Sequence, residues 1–254
     1  MSYTVRGFSH LFFVKALIIL TSLNAVVRSS LAGMVLGPLP NIRLLMHNQG
    51  HIDEMIRSKR DSLCNHEHSG ASSIDENPSV PDSFRCLSES ITVGHGLKDF
   101  QRASEFMFAF EMINALPWAK VALSTETMET GIVVGSVLCT LVKCYKSAWT
   151  LNPCRVCYIN RSSDKRQPKN LLPKRRGVKQ VDEIAYSTVD GHLIAGEERF
   201  RVSLMKNDDV IFDIYSFTKG AGAVGTVAMP FIRPIQAVFF RDAVRSMKKI
   251  MAQK

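Results

Sequence analysis

The sequence predicts an α+β domain: an antiparallel sheet with two helices covering one of its faces. Three observations carry this. From residue 184 onward, short runs with period-two alternation follow one another across tight turns, the signature of antiparallel strands. Two stretches, residues 97–114 and 230–252, instead repeat their apolar residues at helical spacing. The composition, 46% apolar and 22% charged, is that of a globular chain able to bury a core. It excludes wholesale disorder. A polytopic membrane protein is excluded because only one stretch, near the N-terminus, approaches the ~20 apolar residues a span requires. Six cysteines in 254 residues make no disulfide scaffold.

Taken in order, the first 52 residues contain no acid but hold Arg6, Lys15, Arg28 and Arg43, with a largely apolar run at residues 8–27. Residues 1–46 are therefore expected to be a targeting or apolar N-terminal segment, secretory, organellar or membrane-associated, the compartment being left open. Residues 47–90 are rich in Ser, Asn, Asp, His and Gly, with sparse large apolar residues, and are expected to be a disordered or loosely held linker. The folded domain is expected over residues 91–254. It begins with a short strand, Ile91–His95, and a glycine turn. A helix follows, with Phe100, Ala103, Met107 and Phe110 on one stripe, stopped by Pro117. Residues 120–124, 132–142, 155–159, 184–189, 197–204 and 210–217 read as strands, the last two joined by a hairpin turn at Asn207-Asp208-Asp209. Gly220, Gly222 and Gly225 read as a flexible loop, and Pro230 and Pro234 as the start of a final helix. Arg161–Lys179, with two prolines and eight basic residues against one acid, reads as an inserted loop.

Three stretches taken together resemble the DUF1990 (UPF0548) family of uncharacterised proteins: Val93-Gly-His-Gly-Leu-Lys-Asp-Phe100, Asp190-Gly-His-Leu-Ile-Ala-Gly-Glu-Glu-Arg-Phe200, and Phe212-Asp-Ile-Tyr-Ser-Phe217. The middle stretch is the most specific. The chain departs from the family pattern at Thr218-Lys-Gly-Ala221 and in the basic insertion. The resemblance implies no established reaction. Its order of elements is similar to START-like, helix-grip proteins, in which a curved antiparallel sheet packs on a long C-terminal helix and encloses an apolar cavity. On that implication the expected ligand is a small apolar or amphipathic molecule. Phe200, Val202, Phe217, Phe240, Val244 and Met247 would line the cavity, with His95, His192 and Glu198 at its mouth.

The residues themselves allow several chemistries. In a strand over residues 197–204, Glu198 shares the inward face with Phe200, Val202 and Leu204, while Glu197, Arg199, Arg201 and Ser203 share the other. An inward carboxylate is either a ligand-orienting or acid/base group with raised pKa, or a structural glutamate satisfied by backbone or Arg. His95 and His192, beside glycines at strand ends, either join Glu198 in acid/base work or bond local backbone. Gly94-His-Gly96 lacks the third glycine of a dinucleotide fingerprint. Cys154-x-x-Cys157 has no second pair and makes a poor zinc site. Asp213 is expected on the outer face. No cofactor and no metal site is indicated, and the oligomeric state is left open. Arg161–Lys179 is a further expected contact, for anionic lipid or nucleic-acid phosphate. The acid-free start and residues 155–179 supply four and eight of the net positive charges, leaving −3 for the rest of a chain of net charge +9. The basicity therefore belongs to the attachments and not to the domain.

Overall fold

A computed structural model describes residues 41–43, 46–73, 80–145, 148–163 and 177–253. Eight antiparallel strands form one curled sheet: β1 (Asn41–Arg43), β2 (Arg85–His95), β3 (Ala119–Ala122), β4 (Val137–Tyr145), β5 (Ala148–Asn160), β6 (Val178–Thr188), β7 (Ile194–Met205) and β8 (Asp209–Gly220). The path runs β2-β8-β7-β6-β5-β4-β3, with β1 added alongside β5. The helices are α1 (Gln49–Ser58), α2 (Gly96–Phe108), α3 (Glu111–Asn114), α4 (Thr125–Thr130) and α5 (Gly222–Ala252). The inner face of the sheet, α2, α3 and α5 share one continuous apolar core that includes Phe100, Met107, Phe110, Phe200, Phe212 and Phe240. The curled sheet with its long C-terminal helix is the expected arrangement.

Local chemistry explains the elements. The β7–β8 hairpin closes through Asp208 at φ 66°, a left-handed position that Asp tolerates, and this fixes the register of both strands. At the start of α2, Asp99 Oδ2 accepts from the backbone N–H of His95 at 2.8 Å. A Cβ on Gly94 would sit 2.5 Å from that same oxygen, so the Gly-His-Gly stretch is the geometry of a helix entry. The expected helix over residues 97–114 is in fact two, broken where Phe110 takes φ 54° and turns its ring into the core. The far end of α5 is held by Arg102, whose guanidinium donates to the carbonyls of Ile250 and Met251 at 3.1 Å each.

Three expectations need correction. Residues 47–90 are not a plain linker. Asn48 caps α1, whose Ile52 and Ile56 are buried against Val137, Leu141, Trp149 and Leu151. Residues 64–73 lie on the outer face of the sheet, and β2 begins at Arg85. Two apolar residues one helical turn apart suffice for α1, and the remainder is held by hydrogen bonds, which leave no apolar periodicity to read. Second, Gly222 and Gly225 belong to α5. A Cβ on Gly225 would lie 2.2 Å from the carbonyl of Leu193, so glycine here allows close packing. Third, Pro230 and Pro234 lie inside α5, each removing one i→i−4 bond, rather than opening it. The expected targeting segment lies almost wholly outside the described residues, as do residues 164–176 of the basic insertion. Its described ends are engaged in the fold: Arg161 stacks on Phe108 at 3.7 Å and Lys179 pairs with Asp208 at 2.5 Å.

Candidate functional site

Glu198 points inward, as its parity requires. Register places Tyr186 of β6 on one side of it and Ser216 of β8 on the other, so three polar side chains form one row across the inner face. Tyr186 Oη donates to Glu198 Oε1 at 2.7 Å. Around them lie Phe110 and Phe200, whose rings approach Tyr186 at 6.2 and 5.7 Å. Burial in this apolar shell pushes the Glu198 carboxyl up to about 7, against the smaller downward pull of the Tyr186 hydrogen bond. Burial also raises the Tyr186 phenol well above its ordinary value, as does the neighbouring Glu198 charge. Ser216 is 0% exposed, and its hydroxyl has no hydrogen-bond partner. Glu198 itself keeps partial exposure, so the row is reachable from outside.

The first half of α5 reaches the β8 side of this row. Residues 231–239 are half-buried, except the exposed Arg233. Gln236 extends from the helix to Thr218, one inward position beyond Ser216, at 3.5 Å. Among the described helices α5 is the one long and apolar enough to cross a membrane. Its Val244, Met247 and Met251, however, are buried in the core.

Of the residues expected from sequence, Phe200, Val202, Phe240, Val244 and Met247 do come together, all buried in the core shared by sheet and helices. Phe217 does not. It shares parity with Tyr215 and packs on the outer face against Phe84, at 5.5 Å between rings. The histidines are also not part of a common mouth. His95 is exposed at the β2 end, 3.7 Å from Asp209, the first residue of β8. His192 precedes Ile194, which pairs with Gly220 at the other end of β8, so the 12 residues of that strand separate the two by roughly 35 Å. His192 Nδ1 accepts from the Ile194 N–H at 3.0 Å, and burial pulls its pKa down to about 4. His192 bonds local backbone, His95 faces Asp209 across the β2–β8 pair, and the partner of Glu198 is Tyr186. Ser216 was within reach of sequence reasoning, because the Asn207–Asp209 turn fixes β7–β8 pairing and sets it opposite Glu198. Tyr186 could be marked from sequence only as a tyrosine able to bond a ligand or a local partner; its place opposite Glu198 depends on the β6–β7 register, which contains a shift near Val178–Gln180.

The outer face of the same strands is also buried, and it is charged. Arg201 and Glu183, 0% and 1% exposed, pair at 2.6 Å, and Asn160 Nδ2 donates to the other Glu183 oxygen at 2.7 Å. Arg199 donates to Asp213 and to the carbonyl of Ser72, both at 2.8 Å. Asp213 is thus on the outer face, as expected, with a cation beside it. Glu197 accepts from the N–H groups of Gly70 and Ser72 and from the Ser187 hydroxyl. The two adjacent glutamates therefore have different work. Glu197 fastens the turn at Ala71–Ser73 onto the sheet, and Glu198 faces the interior. Gly196 before them is a position of close approach: a Cβ there would lie 2.1 Å from the Phe217 carbonyl.

A curled antiparallel sheet gripping a long C-terminal helix, with one polar row on the sheet's inner face, defines a helix-grip α+β domain. The chain belongs to the DUF1990 family, described as a domain of unknown function, whose model matches residues 66–246. A UPF0548 protein of Arabidopsis thaliana is 26% identical over 168 residues, 66% of this chain and 74% of its own length. Among solved structures, a hypothetical protein from Helicobacter pylori overlays 68% of this chain and 90% of its own at 9% identity and a TM-score of 0.45. An aromatase/cyclase from a Streptomyces species overlays 66% and 93% at 10% identity and a TM-score of 0.44. The second and third stretches that carry the family resemblance meet in the inner row, one supplying Glu198 and the other Ser216.

Proposed function

We propose that the domain binds a small apolar or amphipathic molecule between the inner face of the sheet and the first half of α5. The observation that carries this reading is Glu198: an inward carboxylate in an apolar shell, with no cation beside it among the described residues and partial access to solvent. A purely structural carboxylate would be closed off and paired, as Glu183 is. Binding sites of this kind are mostly apolar with a few placed polar groups, and Tyr186, Glu198 and Ser216 are such groups. The half-buried α5 residues above them supply an apolar wall that a ligand would complete.

The test uses the full chain. Native mass spectrometry, compared with the denatured mass, should reveal a co-purifying small molecule. Titration with the apolar reporter 1-anilinonaphthalene-8-sulfonate should saturate at one site per chain and raise the melting temperature. A protein that carries no extra mass and shows no saturable reporter binding would overturn the reading.

A further inference from the structure

The inner row has a defined hydrogen-bond deficit, and that deficit specifies the head group of the ligand. Glu198 Oε1 is occupied by the Tyr186 hydroxyl, and its second oxygen takes no hydrogen bond from the described residues. Ser216, directly opposite on β8, is fully buried with its hydroxyl unpartnered. Residues opposed in this way hold their Cβ atoms about 5 Å apart, close enough for one hydroxyl oxygen placed over the pair to reach both side chains. A buried hydroxyl without an acceptor is costly, so the Ser216 O–H requires something that accepts. The free Glu198 oxygen, when ionised, requires something that donates.

Few head groups do both. An ammonium donates but accepts nothing, and it would leave the Ser216 proton without an acceptor. A carboxylate accepts but donates nothing, and its charge would face Glu198. An ether or ketone meets Ser216 alone. A hydroxyl donates one hydrogen and offers two lone pairs. Around it the walls are Phe110, Phe200 and Tyr186, with Phe240 of α5 in the same core, so the body attached to that hydroxyl is apolar.

We propose that the row Tyr186–Glu198–Ser216 is the head-group site for an apolar alcohol or phenol, whose hydroxyl donates to Glu198 and accepts from Ser216. This rests on the reading of the domain as a ligand binder.

The experiment measures binding of matched probes to the full chain by calorimetry, at monocyclic, bicyclic and steroid size. Each set contains the alcohol or phenol, its methyl ether and an alkylamine of matching size, which is an ammonium at neutral pH. At the size that fits, the hydroxyl compound should bind at least tenfold more tightly than both the ether and the amine. Ser216→Ala removes a donor that the alcohol and the ether share, so it should weaken both and remove the advantage over the amine while leaving the advantage over the ether. Glu198→Gln, which keeps the shape and one acceptor, should narrow the advantage over the ether. Equal binding of alcohol and ether, or a preference for the amine, overturns the head-group assignment and leaves the ligand-binding reading standing. So does a preference over the amine that is untouched in Ser216→Ala. No binding by any probe or by the anilinonaphthalene reporter removes both.

Discussion

On the inner face of β7 a single carboxylate, Glu198, sits among Phe200, Val202 and Leu204, with a tyrosine for company and no cation among the described residues. On the outer face of the same strand, Glu197, Arg199 and Arg201 are buried more deeply, but each meets opposite charge or backbone N–H and C=O groups. The two faces settle the cost of burying charge differently. Outside, the cost is met pairwise and the charges hold a polar segment onto the sheet. Inside, it is left open, and the carboxyl answers by shifting upward to about 7. Charge in a core is thus read by what compensates it, and the uncompensated group is the one with chemistry to spare.

The sharpest way to break this comparison is to remove a compensating partner. Arg201→Met strands Glu183 without its cation in a buried site and should cost about 3–5 kcal/mol in chemical denaturation. The double variant Glu183→Leu/Arg201→Met should be less destabilised than Arg201→Met alone, since no lone charge remains. If the single variant costs under about 1 kcal/mol, the outer network does not hold the fold.

Next in size is the pH dependence of the inner group. The folded pKa of Glu198, about 7, lies above its ordinary 4.5. Its stabilising contribution is therefore complete below pH 4.5 and lost as pH rises through 7, on the order of 3 kcal/mol. His192 runs the other way. Its folded pKa of about 4 lies below the ordinary 6.5, so its contribution is complete above pH 6.5 and lost as pH falls toward 4, by a similar amount. The two slopes largely cancel in the native chain. Glu198→Gln should uncover a loss of stability on acidification, and His192→Asn a loss on raising pH from 4.5 to 7. The double variant should lose most of this dependence, keeping the acid-side loss contributed by His66, whose pKa burial also lowers. A Glu198→Gln curve parallel to the native one would show that Glu198 titrates normally.

The smallest effect concerns the outer fastening. Glu197→Ala leaves the N–H groups of Gly70 and Ser72 without their acceptor and should cost about 2 kcal/mol. It should also open residues 68–73 to limited proteolysis well before the sheet is cut. Cleavage no faster than in the native chain would mean that other contacts hold that segment.

Much of the fold was legible from the chain. Period-two alternation gave β7 and β8, the helical stripe gave α2, and together they marked Glu198 as inward. Phe217 is instructive because the same alternation, carried five residues on from Phe212, puts it outside, where Phe84 covers it. The histidines failed for a different reason. His95 and His192 each sit beside glycine at a strand end, but β2 pairs with β8, not with a sequence neighbour, and only that long-range pairing sends them to opposite ends of the sheet. The polar stretch 47–90 failed because its order comes from hydrogen bonds to Glu197, Arg199 and Thr188, which no apolar pattern announces.

The sequence by itself therefore determined which residues form strands and helices, which side of β7 each residue faces, and, through one hairpin turn, that Ser216 stands opposite Glu198. These are local properties, set by backbone stereochemistry and side-chain alternation. Only the tertiary structure decided that Tyr186 completes the row, that a half-buried stretch of α5 reaches its β8 side, and that the outer charges are sealed beneath a polar segment. Those depend on contacts between residues far apart in the chain, where partners are chosen by the closing of the sheet and not by their neighbours in sequence.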